Sequence, residues 1–451
     1  MMAKKIIKSL PRNSGPAGWN EILGPAPRYP EAEGDLTADW LIIGGGFAGL
    51  SAAKRLGELR GGDKIMLLEA NRIAEGPAGR NSGFMIDLPH ELGDDGYAGA
   101  LDFDLKQIGL NRHAQAFAKA NAEEYEMPAE AVNPVGRVNG AVNAHGKAHN
   151  DEYAAHLDAL GEAYRHMNAD EMRQMTGTDF YSSGLFLPGA VILQPALYIR
   201  SLAQGLVHKQ THPLALFEKS PAISFEQQGD SWRIETPKAS IKAKTIIMAV
   251  NGHAESFGFF KNRLMHVFTY ASMTEPLSIA QQKALGGDKA WGVTPSDPMG
   301  STVRRHDGIG GNRIVVRNRW TFDPKMEVPE ARVKAFGRDH DKSFISRFPG
   351  LKDVKMAYRW SGHLCLSRNS VPAFGELETN WFSACCQNGL GTAKGTLSGI
   401  GAVDLATKAN SPIVQNLLSY DQPVKLPPRP LSTIGANLVL KWREFKAGAE
   451  I

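Results

Sequence analysis

A glycine-rich turn between an apolar segment and a helical pattern is the feature that most constrains the fold of this chain. The segment Trp40 to Ile43 is apolar, and it runs directly into the spacing G-x-G-x-x-G, formed by Gly44, Gly46 and Gly49. Apolar residues then recur at helical spacing, at Leu50, Ala53 and Leu56. This order predicts a buried strand, a tight turn and a helix. The N-terminus of such a helix offers free N–H groups and a partial positive charge to phosphates.

The residues after this helix decide how much weight the glycine motif carries. Alone it is weak evidence, because 47 glycines in 451 residues produce such spacings by chance. The apolar segment Ile65 to Leu68 predicts a second buried strand, and Glu69 follows it, twenty residues beyond Gly49. A carboxylate at this place accepts the ribose hydroxyls of an adenosine. We therefore predict a dinucleotide-binding βαβ unit, with cofactor contacts at Gly44, Gly46, Phe47, Ala48, Gly49, Glu69 and Ala70.

Composition and charge narrow the classes of partner. The net charge is only +4, with 42% hydrophobic and 22% charged residues, so neither a nucleic acid nor a membrane surface is implied. No apolar run approaches the length of about eighteen residues that a transmembrane helix needs. The lysine-bearing start MMAKKIIKSLPRNSGPAGW lacks the apolar core of a secretory signal. The cytoplasm is therefore the expected location.

Cysteine and histidine usage excludes two further classes. The three cysteines form no C-x-x-C pair, which argues against a disulfide framework and against the disulfide-reductase branch of nucleotide-binding enzymes. We interpret them as small buried apolar residues; they are Cys365, Cys385 and Cys386. The histidines and cysteines form no complete set of metal-ligand spacings, since His145 and His149 are a single H-x-x-x-H pair, and no metal is predicted.

The chain returns to a similar pattern near its end. The apolar segment Trp381 to Cys385 is followed by Asn388-Gly389-Leu390-Gly391 and by a helical pattern from about Thr392. If this strand joins the same sheet, a second helix N-terminus faces the ligand. That favours a flavin over a nicotinamide, because the N1–C2=O edge of a flavin gains negative charge on reduction. A plain strand-to-helix turn is the alternative.

Between the two glycine turns the pattern alternates between helical and strand periodicity. Apolar spacing predicts helices over about 101–130 and near 151–175. From residue 217 short alternating segments predict a β-meander, and a second β-rich region covers about 264–320. Residues 1 to about 35 show no periodicity and predict an extended arm.

Several segments taken in order resemble one family. They are IIGGGFAGLSAAKRL with LLEA, AGRNSGF, TIIMAVNGHAE, TEPL, YRWSGH and NGLGTAKGTLSG. Together they resemble the D-amino acid oxidase type FAD-dependent oxidoreductases, and within them the gamma-glutamylputrescine oxidase and glycine/sarcosine oxidase-like branch. The resemblance covers about residues 36–406.

This resemblance implies an α/β fold with two domains, in which a glutathione-reductase-like Rossmann FAD domain is interleaved with a mainly antiparallel β-sheet substrate domain. The FAD domain is expected at 36–100, 188–260 and 355–420, and the substrate domain at 101–187 and 261–354. An N-terminal arm (1–35) and a C-terminal tail (421–451) lie outside both.

Further cofactor contacts follow from the same resemblance. It places beside the flavin or adenine the residues Arg80, Asn81, Ser82, Gly83, Ala222, Ala249, Asn251, Gly252, Gly389, Leu390, Gly391 and Thr392. At the positions where related enzymes attach FAD through a cysteine or a histidine, this chain has Gly362 and Arg80. We therefore expect FAD to be bound non-covalently.

The implied activity is oxidation of the C–N bond of a small primary or secondary amine or amino acid, by hydride transfer to flavin N5, giving an imine that hydrolyses. The electron acceptor is O₂ or a quinone or carrier protein. Two alternatives stay open: a non-catalytic or partner-dependent flavoprotein subunit, and a nicotinamide-linked dehydrogenase. The oligomeric state is not predicted.

Four residues are candidates for the chemistry. In NRIVVRNRW, alternation places Arg313, Val315, Arg317 and Arg319 on one face of a strand. Arg313 or Arg317 is predicted to stabilise the reduced flavin or to anchor a substrate carboxylate or sulfonate, a solvated basic strand being the alternative. His363 is a candidate proton acceptor or substrate contact, or a structural histidine. Tyr270 is a candidate for the pocket floor, or a packing residue.

Overall fold

The computed structural model describes residues 4–89, 101–209 and 214–451, whose strands form a nine-stranded sheet, an eight-stranded sheet and a two-stranded pair. The strands are β1 (Lys5–Ile6), β2 (Gly34–Ile43), β3 (Ile65–Leu68), β4 (Phe84–Met85), β5 (Arg137–Ala141), β6 (Arg165–Asn168), β7 (Ser183–Leu187), β8 (Val191–Ile192), β9 (Leu214–Phe217), β10 (Ser224–Gln228), β11 (Ser231–Glu235), β12 (Ala239–Met248), β13 (Leu264–Thr274), β14 (Trp291–Pro295), β15 (Thr302–His306), β16 (Arg313–Phe322), β17 (Met356–Ser367), β18 (Ala373–Glu378) and β19 (Trp381–Cys385).

The helices lie on the faces and at the ends of these sheets. They are α1 (Gly18–Glu21), α2 (Phe47–Leu59), α3 (Leu101–Glu124), α4 (Ala144–Leu160), α5 (Ala169–Thr176), α6 (Pro195–His208), α7 (Ile279–Leu285), α8 (Glu330–Arg347), α9 (Ala393–Ala406), α10 (Pro412–Leu418) and α11 (Leu431–Ala447). Of the described helices, none combines the length and the apolar composition needed to cross a bilayer.

The nine-stranded sheet has a parallel centre in the order β12, β2, β3, β9. Helices cover both faces of such a sheet, so its strands read as continuous apolar runs. Leu41, Ile42 and Leu67 accordingly have no exposed surface. Strand β2 begins at Gly34, earlier than the apolar run at Trp40, because β12 supplies backbone partners along its whole length.

One edge of β12 is shared by two strands. Its first half pairs antiparallel with β11, and its last residues, Ile246 to Met248, pair in parallel with β19. The second glycine turn therefore follows a strand of the same sheet as the first glycine turn. This is the arrangement in which a second helix N-terminus faces the ligand. Both turns lie at the carboxyl ends of parallel strands, where ligands bind in open α/β sheets.

The eight-stranded sheet runs in the order β17, β13, β16, β15, β14, β5, β7, β6. Its neighbours are antiparallel except for the parallel pair β14 and β5. The pairing of β13 with β16 shifts between Thr269 and Tyr270, opposite Arg319, whose φ is 61°. This bulge changes which side chains of β16 face the interior after residue 318.

The helical prediction near 151–175 is wrong in its middle. Helix α4 ends at Gly161, whose φ of 69° is left-handed, and strand β6 separates it from α5. Helix α5 starts with a capping box, in which Asn168 and Glu171 each bond the backbone of the other. Helical spacing on both sides of a short strand produced one apparent period, because four residues of strand are too few to break the pattern.

Each large sheet is built from segments that are far apart in the sequence. The nine-stranded sheet takes strands from 34–68, 214–248 and 373–385, and also β1 from the N-terminal arm, which pairs with β10. Strand β17 lies in the segment 355–420 but pairs with β13 in the eight-stranded sheet. In the C-terminal tail, α11 packs against β16 through a small apolar cluster.

Candidate cofactor and substrate site

A cavity of about 300 Å³ is lined by residues from both large sheets. On one side lie the first glycine turn, the end of β3 and the start of α9; on the other lie residues of β13, β16 and β17. The N-termini of α2 and α9 thus reach the same space as the antiparallel sheet. A dinucleotide bound at the helix ends would extend its reactive end towards that sheet.

Backbone proximity explains two glycines of the first turn, and open space explains the third. A Cβ at Gly44, whose φ is 109°, would lie 2.5 Å from the Ala249 carbonyl oxygen. A Cβ at Gly49 would lie 1.8 Å from the Gly44 carbonyl oxygen, so this glycine lets α2 pack on the turn. At Gly46, by contrast, a Cβ would meet only the Ala78 methyl group, at 3.5 Å. Gly46 therefore opens onto the cavity, where backbone can approach a pyrophosphate.

Glu69 follows β3 and lines the cavity beside this turn. Its Oε2 accepts the Gly45 N–H at 2.9 Å, and its Oε1 accepts the Asn71 N–H at 2.9 Å. Burial raises the pKa of Glu69, and these two backbone hydrogen bonds oppose that shift. Each oxygen keeps a lone pair, so the carboxyl group can still accept a hydroxyl group from a ribose.

The second turn is equally open. Gly389, Leu390, Gly391 and Thr392 line the cavity, and a Cβ at Gly391 would meet nothing within 4 Å. The Thr392 hydroxyl donates to the Phe84 carbonyl oxygen at 2.8 Å, which ties the start of α9 to β4. Two helix N-termini and Glu69 therefore surround one cavity, and these residues fit a flavin dinucleotide.

Most sequence-predicted cofactor residues line this cavity. They are Gly44, Gly46, Phe47, Ala48, Glu69, Ala70, Arg80, Asn81, Ser82, Ala222, Ala249, Asn251, Gly389, Leu390, Gly391 and Thr392. Three others lie behind the wall: Gly49, Gly83 and Gly252. Each of the three allows a close approach, Gly83 to the Leu193 carbonyl oxygen and Gly252 to the rings of His266 and His363.

The N-terminal arm contributes a wall that the sequence did not indicate. Lining residues include Ile7, Ser9, Leu10, Pro11, Arg12, Asn13 and Trp19. Arg80 holds this arm, because its guanidinium donates to the carbonyl oxygens of Ser14, Gly15 and Ser361 at 2.6 to 2.8 Å. Burial lowers the pKa of Arg80 to about 10, so it stays cationic at neutral pH. Without periodicity or a motif, the arm carried no signal that would have placed it here.

Strand parity and position along the strand separate three of the four catalytic candidates, Tyr270, Arg313 and Arg317. Thr269 and Ala271 of β13 line the cavity, so Tyr270 points to the opposite side, where its hydroxyl bonds Thr321 at 2.7 Å. On β16, Val315, Arg317 and Trp320 line the cavity. Arg313 has the same strand parity as Val315 and Arg317. It lies at the start of β16, outside the cavity lining, and donates to the carbonyl oxygens of Gly310 and Thr274.

The bulge at Arg319 explains why Trp320 rather than Arg319 faces inward. Alternation predicted Arg319 on the same face as Arg317. With an extra residue at the bulge, Arg319 turns outward and pairs with Asp339 at 3.0 Å and Glu444 at 3.3 Å. Trp320 takes the inward position, and the Arg317 guanidinium lies 4.9 Å from the centre of its ring. Local alternation could not reveal this exchange.

Arg317 differs from the other arginines of this region in its lack of polar partners; Arg304, for comparison, donates to the carbonyl oxygens of Ser82 and Leu193. Burial lowers the pKa of Arg317 to about 10, and no carboxylate of the described residues opposes that shift. The structure gives its guanidinium no hydrogen bond or ion pair within the described chain, only the Trp320 ring. Arg319, Arg332 and Arg359, by comparison, each pair with an aspartate. A partly buried guanidinium that remains charged and unpaired beside a cavity is suited to bind an anionic ligand group.

His363 lies at the end of a buried hydrogen-bonded chain. Its Nε2 is 3.3 Å from His266 Nδ1, and His266 Nε2 is 3.2 Å from Glu255 Oε2. Burial acts to raise the pKa of Glu255, but the hydrogen bond from His266 and backbone N–H groups outweigh it and lower that pKa. Burial lowers the pKa of His363 well below its ordinary value. Both observations favour a carboxylate at one end and a neutral imidazole at the cavity wall. The described residues contain no cluster of three or more potential metal ligands.

The glycine turns, the two helix N-termini and Glu69 define a dinucleotide-binding protein whose cavity is closed by an antiparallel sheet. The chain belongs to the FAD dependent oxidoreductase (DAO) family, whose model matches residues 39–405. The fold class, the family and the enzyme class predicted from the sequence are thereby confirmed, and the cofactor is FAD rather than a nicotinamide.

Individual relatives agree with this assignment. The chain is 26% identical over 379 residues to a probable oxidoreductase, OrdL, of Haemophilus influenzae, covering 80% of this chain and 81% of that protein. It is 24% identical over 369 residues to gamma-glutamylputrescine oxidoreductase of Escherichia coli, covering 76% and 78%. Glycine oxidase from Geobacillus kaustophilus has the same fold, with a TM-score of 0.67 at 15% identity, covering 87% of this chain and 100% of that structure.

Proposed function

We propose that this oxidoreductase oxidises the C–N bond of a small amino acid, and that Arg317 binds the substrate carboxylate. The supporting observation is the unpaired, partly buried guanidinium of Arg317 at the cavity wall, on the sheet that faces the glycine turns. A planar guanidinium binds a carboxylate through two parallel hydrogen bonds, which fixes both position and orientation. Among the small amines that the family resemblance allows, those with a carboxylate therefore match this cavity best.

The residues of the chain have separate tasks in this proposal. FAD, when bound, supplies the hydride acceptor at N5, and the imine formed from the substrate hydrolyses in water. The contact of Arg317 with the Trp320 ring restricts the guanidinium, so less side-chain freedom is lost on binding. Met326, Pro298 and Leu390 line the same cavity and reduce its access to water.

We assign His363 the role of hydrogen-bond acceptor for the substrate amine. If the Glu255 carboxylate accepts from His266 Nε2–H, then His266 Nδ1 accepts from His363 Nε2–H. His363 Nδ1 then keeps its lone pair, so the neutral ring can accept a hydrogen bond from the substrate N–H without bringing a second cation beside Arg317. Arg313 and Tyr270 lie outside the cavity lining, so the proposal gives them no contact with the substrate.

FAD attachment and location complete the proposal. We propose non-covalent FAD, because burial raises the pKa of the Cys365 thiol at the cavity wall well above its ordinary value, and the thiolate is the nucleophilic form. A cytoplasmic location is supported by three buried cysteines that form no disulfide. The electron acceptor, O₂ or a quinone or carrier protein, is decided by the experiment below.

The test compares substitutions at two arginines of one strand. The purified flavoprotein is mixed anaerobically with amino acids and with amines that lack the carboxylate, and flavin reduction is followed at increasing concentrations. For Arg317→Gln we expect half-saturation to rise about 30-fold or more for the best amino acid, because one partner of a desolvated charge pair is lost. Arg317→Lys retains part of the affinity, and Arg313→Lys is the matched control.

The outcomes separate the possible roles of Arg317. An increase confined to carboxylate-bearing substrates supports the proposal, and admission of air then shows whether O₂ reoxidises the flavin. Equal effects of Arg317→Gln on substrates with and without a carboxylate contradict the carboxylate-anchor role. If no amine reduces the flavin of the unmodified protein, the amine-oxidation proposal itself fails, and a partner-dependent flavoprotein becomes the better account.

A further inference from the structure

Helix α11 carries an exposed apolar face in the C-terminal tail. Among its exposed apolar side chains, which also include Val439, five form a row; with their accessible fractions they are Leu431 (69%), Ile434 (56%), Leu438 (62%), Trp442 (55%) and Phe445 (84%). Their spacing of three or four residues places all five on one side of the helix. We call these five residues the α11 stripe. Isolated exposed apolar residues are ordinary, but a continuous row with two aromatic rings is typical of an interaction site.

The opposite side of α11 fixes the direction of the stripe. Ala436, Leu440 and Ala447 pack in the cluster that contains Trp320 and Phe322 of β16. Glu444 Oε1 accepts the Trp320 N–H at 2.8 Å. Asn437 reinforces this attachment, accepting the Phe322 N–H at 3.0 Å. The helix therefore already buries one face, and the α11 stripe is a second apolar face directed to solvent.

The charges beside the stripe are basic. At 100° per residue, Lys441 and Lys446 lie on either side of the row, and both are exposed. Lys446 Nζ lies 3.9 Å from the centre of the Trp442 ring. The acidic residue of this helix, Glu444, points the other way and is paired with Arg319 at 3.3 Å. The outward face of α11 thus combines apolar side chains with flanking cations and no carboxylate of its own.

We propose that the α11 stripe docks on the surface of an anionic lipid bilayer. An interfacial helix places Trp, Phe and Leu at the headgroup–acyl boundary while its lysines extend to lipid phosphates. A second copy of this chain packed on the stripe about a two-fold axis would instead bring four lysines into one interface, with no carboxylate on the outward face of α11 to pair with them. Charge complementarity therefore favours lipid. A net charge of +4 did not indicate such a surface, because the sum conceals where the charges lie.

Docking in this way has a geometric consequence for the cavity. The strand beneath α11 is β16, whose residues Arg317 and Trp320 line the cavity. Trp320 joins the two directly, since its ring lines the cavity and its backbone N–H binds Glu444 on α11. The substrate-side wall would thus lie close to the lipid surface. The docking proposal does not depend on which substrate the enzyme oxidises.

The test is co-sedimentation of the full-length flavoprotein with vesicles of phosphatidylcholine, alone or mixed with phosphatidylglycerol. We expect binding to the mixed vesicles and weaker binding to phosphatidylcholine alone. The double substitution Leu438→Ser with Phe445→Ser is expected to weaken binding about tenfold or more, since two exposed apolar side chains no longer enter the interface. Lys441→Glu with Lys446→Glu is expected to remove the preference for anionic lipid.

Matched controls lie on another surface helix. Ile279→Ser removes a side chain that is 86% exposed, and Lys283→Glu reverses an exposed charge on the same helix, α7. Neither is expected to change vesicle binding. The proposal is overturned if the stripe variants sediment with mixed vesicles as the unmodified protein does, or if no vesicle is bound. It is equally overturned if the stripe substitutions instead abolish a dimer seen by light scattering.

Discussion

Replacing Gly46 with alanine adds one methyl group at the cavity wall, where the structure predicts impaired FAD binding with little effect on folding. The φ of Gly46 is −91°, which alanine adopts freely, and the new methyl group would meet only Ala78, at 3.5 Å. We expect the free energy of unfolding of the apoprotein to change by less than about 1 kcal/mol. If the methyl group blocks one backbone N–H from a phosphate oxygen, about 1.5–3 kcal/mol of binding free energy is lost, a 10- to 150-fold rise in Kd.

Gly49→Ala is the matched comparison three residues further along the same motif. Its methyl group would lie 1.8 Å from the Gly44 carbonyl oxygen, so α2 has to move away from the turn. Overpacking of this kind costs about 1–3 kcal/mol, and the overlap with backbone places the expected loss at the upper end. Urea unfolding of the apoproteins and FAD titration followed by fluorescence quenching measure the two effects. The reasoning is refuted if Gly46→Ala binds FAD normally, or if it unfolds as readily as Gly49→Ala.

Three further results are expected. Glu69→Gln should weaken FAD binding about tenfold and destabilise the apoprotein by about 1–3 kcal/mol, because an amide N–H₂ group replaces an oxygen that accepts from a backbone N–H. FAD titration and urea unfolding measure the two effects, with Glu75→Gln as the control. Burial lowers the pKa of His340 to about 3 in the folded protein. As the pH falls below about 6.5, the unfolded chain therefore binds a proton at this residue before the folded protein does. The free energy of unfolding should then fall by up to about 1.4 kcal/mol per pH unit. His340→Asn, which keeps an acceptor for the Ser272 hydroxyl, should make unfolding free energy less dependent on pH over that range; an unchanged slope would contradict it. Iodoacetamide should label the native thiols very slowly and the unfolded ones rapidly, since burial raises the pKa of Cys385 to about 11; rapid native labelling would contradict the buried placement.

The sequence predicted those parts of the site that depend on backbone geometry. A turn that brings Gly49 against the Gly44 carbonyl oxygen requires glycine at that position, because no side chain fits there. The sequence therefore shows the turn directly. The same holds for Glu69, whose place after β3 follows from the length of a βαβ unit. Motifs of this kind are local, so the glycine spacing, taken together with the strand and the acidic residue that follow, was sufficient to predict them.

Contacts between distant segments produce no comparable local pattern in the sequence. Arg317 and Arg313 have the same residue type and strand parity, yet only Arg317 reaches the cavity. The bulge at Arg319 depends on pairing with β13, about fifty residues away, and no local pattern indicates it. The N-terminal arm lines the cavity through hydrogen bonds from Arg80 to Ser14 and Gly15, which sequence spacing cannot relate.

The C-terminal tail is a second region whose packing the sequence pattern did not predict. Four prolines, at 423, 427, 428 and 430, lie in the first part of the tail, and helix α11 follows immediately after the last of them. The helix has two apolar faces, one packed on β16 and one exposed, so its hydrophobic pattern does not resemble that of a simple amphipathic helix. Only the packing of Ala436 and Leu440 shows which face is the inner one.

An anaerobic absorption spectrum of the purified protein, titrated with pairs of amines that differ only in a carboxylate, tests the central claim most directly. Sarcosine with dimethylamine and glycine with methylamine are suitable pairs, extended to D- and L-amino acids and to gamma-glutamylputrescine. The account predicts a bound flavin whose oxidised absorbance bleaches with a carboxylate-bearing amine and not with its partner. A flavin that bleaches equally with both members of each pair, or with none of these compounds, would contradict it.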